Sequence, residues 1–407
     1  MMKSHHFIRR ELVTGILALV LIALALVLIV GPTGLTRVGG PLGAASHPVA
    51  PATMPMTTSL PGARLTAIDF RTTRVGWVGG VGTILATTDG GHTWVRQYAG
   101  SETIKRFDFV TTAEGWALGT RALLHTTDGG RTWRSVGEPG RPLQQVDFVA
   151  STVGVGIAGT ALHFEFVTSA VGWGIAGTTL YRTQDGGRTW QAQSTPIPIG
   201  GVCFVDQAHG WVVNAQQAPT AILSSADGGR TWHPTTLPPG TGGPTGYANG
   251  GGWAQTLRCA RPRALWDLFD FGGYAGGEGY ALYRSADGGH HWRAIAQNQN
   301  VVKAAPGPAP LPGDLDVVDA ATAYLSGACE ACGSGMGTTA IGGTTDGGRT
   351  WRNFPIPGLP FDNTAAISFP TAQSGWMVAQ WYVGPGKTRS AILATSDGGR
   401  TWIRHRV

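Results

Sequence analysis

The sequence predicts an all-β fold built from one repeated strand–turn–strand unit. An eight-residue segment, Ser/Thr-x-Asp-Gly-Gly-x-Thr-Trp, occurs seven times, and only the fifth copy departs from it, with His291 in place of Thr. In five places a Phe is followed seven residues later by a Trp that has Gly before it. The composition agrees, because 63 Gly and 15 Trp with only 13% charged residues suit many short strands joined by tight turns.

The repeated segment has the chemistry of a tight hairpin. Its Asp can accept hydrogen bonds from nearby backbone N–H groups, and its two Gly supply the positive φ that such a turn requires. Short β-rich runs flank it, as at 83–86 and 95–98 around the first copy. We expect a structural role for its Asp and Trp, because a catalytic pair does not need seven copies. These residues are Asp89, Asp128, Asp185, Asp227, Asp287, Asp346 and Asp397, with Trp94, Trp133, Trp190, Trp232, Trp292, Trp351 and Trp402.

This segment resembles the Asp-box, or bacterial neuraminidase repeat. Gly-Trp strands leading into Asp-Gly-Gly-x-Thr-Trp are most similar to those of the photosystem II assembly and stability factor family and its non-photosynthetic relatives. The resemblance covers roughly residues 64–407. It implies a β-propeller of about seven blades with Asp-box turns, which usually serves as a scaffold or binding surface without catalysis. We therefore assign 62–407 to one closed propeller, although the length of 407 residues alone would suggest two or three domains.

The N-terminal part predicts a membrane anchor. Residues 12–30 form an uncharged apolar run long enough to span a bilayer as one helix. Basic residues within 1–11 place that end in the cytoplasm and the propeller outside. The alternative is a cleaved signal peptide, whose apolar region is normally about 7–15 residues long. Residues 31–61, rich in Pro, Gly and Ala, predict an extended linker. We expect a single-pass protein of the cell membrane with an extracytoplasmic propeller.

Strand parity predicts two different faces. In an antiparallel blade, the Asp boxes and the first turns share one face, here called the box face. The connections of variable length then lie on the opposite face, here called the loop face, and such loops commonly carry binding function. Trp253 and Trp381 are not explained by the repeat, and Tyr382 follows the latter. We predict a ligand- or partner-binding surface from Trp253, Trp381, Tyr382, Lys387 and Arg389; the alternative is that each Trp only covers a loop.

Charge and missing motifs narrow the function. A formal net charge of +6, part of it in the N-terminal segment, is too mild and scattered to favour nucleic acid. We expect a protein partner for a non-catalytic scaffold, membrane contact through the N-terminal helix, and no cofactor or metal. A carbohydrate-binding surface protein is the alternative, with a glycan as its ligand. A sialidase-like glycoside hydrolase is less expected, because there is no Arg-Ile-Pro motif and no defensible pair of carboxylates.

Other repeated residues also have structural explanations. Asp69, Asp108 and Asp147 recur on the predicted first strands and are expected to be structural. Residues 148–155 nearly duplicate 166–173, which leaves open an extra half-blade. The basic residue before each Thr-Trp or His-Trp pair predicts a solvated ring on the box face rather than an anion site. This ring consists of His92, Arg131, Arg188, Arg230, His290, Arg349 and Arg400.

The four cysteines are expected in an oxidising compartment. Cys329 and Cys332 form a Cys-x-x-Cys in a predicted loop, and we expect them to form a disulfide. A zinc site would need a second ligand pair, and none with that spacing occurs. Cys203 and Cys259 fall on the first strands of neighbouring blades, where they are either bridged or two buried thiols.

Overall fold

The computed structural model describes residues 63–136, 163–214, 222–235, 254–260, 263–274, 277–297, 312–327, 340–356, 363–384 and 387–405. Within these ranges the chain forms 27 strands in seven antiparallel sheets, which confirms the seven-bladed all-β propeller. No helix of the described ranges is long and apolar enough to cross a membrane. The predicted anchor at 12–30, Trp253, Asp147, the duplicated segment 148–155 and the Cys329–Cys332 pair all lie outside them.

Each sheet is one blade, and its strands follow chain order from the first strand outward. Blades one to three contain β1 Leu65–Phe70, β2 Gly76–Thr87, β3 Val95–Thr103; β4 Arg106–Phe109, β5 Gly115–Leu118, β6 Leu123–Thr126, β7 Arg134–Val136; and β8 His163–Phe166, β9 Gly172–Ala176, β10 Thr179–Thr183, β11 Gln191–Ala192. Blades four and five contain β12 Ile199–Phe204, β13 Gly210–Asn214, β14 Ile222–Ser225, β15 His233–Pro234; and β16 Ala254–Ala260, β17 Ala264–Tyr274, β18 Gly277–Ser285, β19 Trp292–Gln297. Blades six and seven contain β20 Pro312–Val317, β21 Ala323–Gly327, β22 Ala340–Thr344, β23 Arg352–Pro355; and β24 Asn363–Ser368, β25 Gly375–Gly384, β26 Lys387–Thr395, β27 Ile403–His405.

Blade one has three strands because its β2 continues through the positions that the second and third strands occupy in the other blades. Residues 76–80 of β2 pair with β1, and its later residues, from Val81 to Ala86, pair with β3. Gly82, just after the change of partner at Val81, has a φ of 68°. A residue with a side chain rarely adopts that backbone conformation, so Gly82 lets the chain pass directly from one half to the other.

The first strands form a closed ring around the propeller axis. Each of them contacts the first strand of the next blade, and β24 contacts β1. At this closure the Phe70 N–H donates to Ser368 Oγ at 2.9 Å, and the Leu65 N–H donates to Ser390 Oγ at 3.0 Å. The Gln380 amide also donates to the Leu65 carbonyl. Hydrogen bonds therefore join the last blade to the first.

Aromatic stacking between blades explains the Phe and Gly-Trp spacing. In five blades the Trp or Tyr of the second strand stacks on the first-strand Phe of the next blade, as Trp116 does on Phe166 with ring centroids 3.5 Å apart. The Trp indole N–H donates to a box carbonyl of that blade, as Trp116 Nε1 does to Gly186 O at 3.0 Å. The Gly before the Trp is needed because a Cβ at Gly115 would lie 2.3 Å from the Phe109 ring of its own blade. The other stacked pairs are Trp77–Phe109, Trp173–Phe204, Tyr324–Phe369 and Trp376–Phe70.

The Asp boxes and the first turns share one end of every blade. The first box Gly donates its N–H to a first-turn carbonyl, as Gly90 N does to Arg74 O at 2.9 Å, and the same bond occurs in all seven blades. The long hairpins β17–β18 and β25–β26 reverse direction at the other ends of their strands. The box face and the loop face are therefore opposite ends of the blades.

Candidate functional site

The box carboxylates are occupied by hydrogen bonds within their own turns. Asp89 Oδ1 accepts from Thr87 Oγ1 at 2.8 Å and from the Thr93 N–H at 2.9 Å, and Oδ2 accepts from Thr93 Oγ1 at 2.6 Å. Burial alone would raise the pKa of Asp89, but these hydrogen bonds lower it to about 2. His291 replaces the Thr in the fifth copy, and its Nδ1 lies 2.6 Å from Asp287 Oδ2. The Asp of each box thus holds the turn that carries it.

The box face presents an exposed basic ring. In each of the seven boxes, the basic residue just before the Thr-Trp or His-Trp pair is exposed. Several of these arginines donate back to the carbonyl of their own box Asp, as Arg400 Nη1 does to Asp397 O at 3.1 Å. These contacts keep the guanidinium groups close to their own turns and leave them in solvent.

The loop face presents fewer of the predicted binding residues than the sequence suggests. Trp381 is only 8% exposed and packs in a hydrophobic cluster formed by blades six and seven. The Arg404 guanidinium lies over its ring, 5.2 Å from the centroid. Lys387 and Arg389 on β26 are exposed, while the Tyr382 side chain lies outside the described part of the structure. Of the predicted binding side chains that the structure describes, the exposed ones are therefore the basic Lys387 and Arg389.

An axial cavity of about 340 Å³ lies inside the ring of first strands. Its lining comes from blades one, two, five, six and seven. The charged side chains that line it are of both signs and are here called the cavity bases and the cavity acids. The cavity bases are Arg71, Lys105, Arg106 and Arg258, and the cavity acids are Asp69, Asp108, Asp314 and Asp316.

All four cavity acids link one blade to the next. Asp69 Oδ2 accepts from the Phe109 N–H at 3.2 Å, and Asp108 Oδ2 accepts from the Phe166 N–H at 2.6 Å. Glu165, the acid of blade three, continues the pattern by accepting from the Phe204 N–H at 3.0 Å. Asp316 does the same with Phe369, and Asp314 accepts from the Ile367 N–H at 3.0 Å. In blade three the linking acid is thus Glu165, while the Asp147 expected from the sequence lies outside the described residues.

A disulfide replaces the acid–amide link between blades four and five. Cys203 is bonded to Cys259, with their Cα atoms 6.0 Å apart. We call the first-strand position that links a blade to the next one its linking position; in blade two it is Asp108, which pairs with Trp116 of the second strand. Cys203 pairs with Trp211 in the same way, so it occupies the linking position of blade four. In blade five the linking position is held by Arg258, which pairs with Trp266. The next residue, Cys259, therefore stands where most other blades have a Phe. The open question from the sequence is resolved in favour of the bridge.

The linking positions could have been found from the sequence by counting. Each lies eight residues before the Trp or Tyr of the second strand, because the two residues face each other in the register of the first two strands. The count identifies Glu165 and Arg258, which sequence analysis missed. It does not identify Arg106, which lies two residues before the linking position of blade two and lines the same cavity.

Burial raises the pKa of the linking acids. It raises the pKa of Asp69 and of Asp108 to about 6, and that of Glu165 and of Asp316 to about 7. The backbone N–H bonds and the nearby Arg106 charge oppose this rise at Asp108. Burial also lowers the pKa of Arg258 to about 10, and the Arg106 charge adds to the effect. These acids are therefore partly protonated near neutral pH.

We expect the free energy of unfolding to fall as pH rises from about 4 to about 7. A carboxyl whose pKa is raised on folding keeps its proton in the folded state over a range where the unfolded chain has lost it, so the folded state binds more protons there. The box Asp residues act in the opposite direction, but only as pH falls through about 2 to 4. Thermal unfolding at pH 5 and pH 8 measures the effect, and we expect the higher melting temperature at pH 5.

Asp108→Asn is the matched control for this pH dependence. The asparagine Oδ1 can still accept from the Phe166 N–H, but the side chain no longer titrates. We expect the variant to lose less stability than the wild type between pH 5 and pH 8. An unchanged pH profile in Asp108→Asn would show that this carboxyl does not contribute.

Comparisons with known proteins agree with this architecture. Residues 54–200 match the family model described as "Photosynthesis system II assembly factor YCF48". This match confirms the resemblance that the Gly-Trp strands and Asp boxes indicate. A comparison with curated proteins gives no significant match.

Solved structures share the fold at low sequence identity. The structure titled "YCF48 bound to D1 peptide" is 19% identical with a TM-score of 0.51, and the alignment covers 84% of this chain and 95% of that one. A prolyl endopeptidase is 9% identical with a TM-score of 0.50, covering 85% of this chain and 50% of that one. The GH74 xyloglucanase from Xanthomonas campestris is 12% identical with a TM-score of 0.45, covering 84% and 72%. At these identities the first two matches show the fold alone, and the xyloglucanase match, with its lower TM-score, carries no argument.

Proposed function

We propose that this protein is a membrane-anchored, extracytoplasmic β-propeller that binds another protein and serves as a non-catalytic scaffold in the assembly of a membrane complex. One observation carries the proposal: the match of residues 54–200 to the YCF48 assembly-factor model, together with a fold likeness to a YCF48 structure bound to a D1 peptide. That likeness extends over 95% of the YCF48 chain. The apolar run at 12–30 and its basic flank support the anchor.

The geometry suits a rigid binding platform. Stacked aromatic rings, indole hydrogen bonds and acid–amide links hold neighbouring blades at fixed positions. On the loop face, Lys105, Lys387 and Arg389 are exposed, and Val383 beside the β25–β26 turn is 43% exposed. A basic rim with an apolar contact suits a partner segment that carries acidic and apolar side chains.

The acids of the repeat support a scaffold rather than a glycosidase. Glycoside hydrolysis needs two carboxyl groups that flank one bond and are free to exchange protons. The box Asp residues use both carboxylate oxygens as hydrogen-bond acceptors within their own turns. Asp69, Asp108 and Asp316 accept hydrogen bonds from backbone N–H groups of neighbouring blades. Using these groups in catalysis would disrupt the contacts that hold the ring together.

Affinity purification of the tagged full-length chain from detergent-solubilised membranes tests the proposal. We expect a stoichiometric protein partner to co-purify with the wild type. We expect the double substitution Lys387→Glu with Arg389→Glu to lose most of that partner, because it reverses the charge of the loop face. The matched control is Arg131→Glu with Arg188→Glu, which reverses two exposed charges on the box face and should retain the partner.

The same preparations test the anchor and the absence of catalysis. A chain lacking residues 12–30 should leave the membrane fraction, whereas the full-length chain should resist alkaline carbonate extraction. Loss of the partner only in the box-face variant would contradict the assignment of the loop face. Turnover of an aryl glycoside by the purified chain would overturn the non-catalytic proposal.

A further inference from the structure

Small residues occupy three positions in one layer of the inner ring, and two of them line the axial cavity. Two residues before the linking positions of blades one, four and seven stand Ala67, Gly201 and Ala366. The equivalent residues of blades two and six are Arg106 and Asp314, and both line the cavity. Long charged side chains therefore enter a space that small residues leave open.

Arg106 is the cavity base that the structure leaves unexplained. Its Nε is buried and has no hydrogen-bond partner within the described part of the chain. By contrast, Arg258 donates from Nε to Leu315 O at 3.2 Å and lies 3.7 Å from Asp314. Arg71 donates to Val110 O at 3.3 Å. A buried guanidinium donor without an acceptor is costly, and Arg106 lines the cavity, so acceptor oxygens placed beside its guanidinium group would be stabilised.

The cavity acids attract Arg106 without accepting a hydrogen bond from it in the described ranges: its charge acts to lower the pKa of Asp69, Asp108 and Glu165. Asp69 and Asp108, the acids on the neighbouring strands, accept backbone N–H groups of the next blades. No ion pair joins either of them to Arg106 in the described ranges. Arg106 also acts on Arg258, since its charge adds to the lowering of the Arg258 pKa. Arg106 and Arg258 line the same cavity, and guanidinium groups are well suited to hydrogen-bonding a carboxylate.

We propose that the axial cavity binds a carboxylate group, through the guanidinium of Arg106 with Arg258 and Lys105 beside it. A volume of about 340 Å³ accommodates a small dicarboxylate or the last residues of a peptide. A carboxylate fits better than a more highly charged anion, because the four cavity acids and Glu165 surround the site. This inference is independent of the proposed scaffold function.

Binding is expected to be tighter at mildly acidic pH. The four cavity bases face four cavity acids, with Glu165 of the adjoining strand close by. Burial raises the pKa values of Asp69, Asp108, Glu165 and Asp316 into the range of about 6 to 7, so these groups gain protons as pH falls through that range. The cavity then becomes net positive, and a protonated carboxyl can itself donate to a bound carboxylate.

Calorimetric titration of the full-length chain with succinate tests the site. We expect binding at pH 5.5 that weakens about tenfold at pH 8 and about tenfold or more in Arg106→Gln, the usual scale for losing a hydrogen bond to a charged group. Asp316→Asn keeps an acceptor for the Phe369 N–H but mimics the protonated acid, so it should bind more tightly than the wild type at pH 8. Arg131→Gln, on the box face, should bind as the wild type does.

Two further arms identify the source of the carboxylate and keep the test decisive. N-acetyl-trialanine and its C-terminal amide separate a chain terminus from a free small molecule, since only the free acid should compete with succinate. Thermal unfolding confirms that each variant is folded before titration. No succinate binding by the wild type at pH 5.5, or binding that Arg106→Gln leaves unchanged, would overturn the proposal. The partner purification described above would be unaffected by either result, so the two proposals fail separately.

Discussion

Replacing Trp116 by alanine should destabilise the propeller by about 3–5 kcal/mol, the usual cost of removing a buried large aromatic side chain. Trp116 is fully buried, stacks on Phe166 of the next blade at 3.5 Å, and donates its indole N–H to Gly186 O at 3.0 Å. The His125 ring stacks on it at 4.6 Å. The substitution therefore removes contacts within blade two and between blades two and three. Chemical denaturation followed by tryptophan fluorescence or circular dichroism measures the loss.

Two further substitutions separate the contribution of the Trp116 contacts from the general effect of shortening a side chain. Trp116→Phe keeps an aromatic ring but loses the donor to Gly186, so we expect an intermediate loss. Ile403→Ala removes a side chain that is 68% exposed on β27 and should change stability by no more than about 0.5 kcal/mol. A Trp116→Ala loss as small as that of Ile403→Ala would contradict the interblade role of the second-strand Trp.

Removing the Cys203–Cys259 disulfide should cost about 4 kcal/mol. The two residues are 56 positions apart, and closing a loop of that length restricts the unfolded chain by about this amount. The folded state should also lose an interblade contact, because Cys259 stands where a stacked Phe joins neighbouring blades elsewhere in the ring. The double substitution Cys203→Ser with Cys259→Ser, measured by chemical denaturation, gives the size of the effect.

The disulfide prediction needs a background without the second cysteine pair. In a chain carrying Cys329→Ser and Cys332→Ser, only the Cys203–Cys259 bridge responds to a reductant. We expect dithiothreitol to lower the stability of that chain to the level of the variant that lacks all four cysteines. Equal stability in the oxidised and reduced chain would show that the bridge does not hold blades four and five together.

The fold could be predicted from the sequence because the repeat encodes both contacts that build it. The Asp-Gly-Gly segment specifies the outer turn, and the spacing from Phe109 to Trp116 places one residue in each of two interblade stacks. Blades five and six were harder to recognise, because Cys259 and Val317 stand at the Phe position. Their strand registers nevertheless follow the same count of eight residues from the linking position to Trp266 or Tyr324.

The binding surface was less predictable, because it depends on where strands end rather than on a motif. The repeat alone does not explain Trp381, which favours a binding role. However, Met377, Ala379 and Trp381 alternate along β25 and pack together in one core, so strand periodicity already indicates burial. The sequence does not predict the axial cavity, because the basic side chains that line it come from different blades. Only the register of the first strands brings Arg106 and Arg258 to the same cavity.

The most direct test of the scaffold proposal is chemical footprinting of the chain with its co-purified partner. Lys105 and Lys387 are exposed at the loop-face ends of β4 and β26, whereas Arg131 and Arg188 are exposed on the box face. We predict that the partner protects Lys105 and Lys387 from amine acetylation and leaves Arg131 and Arg188 reactive to phenylglyoxal. Protection of the box-face arginines with both lysines still fully reactive would contradict the account.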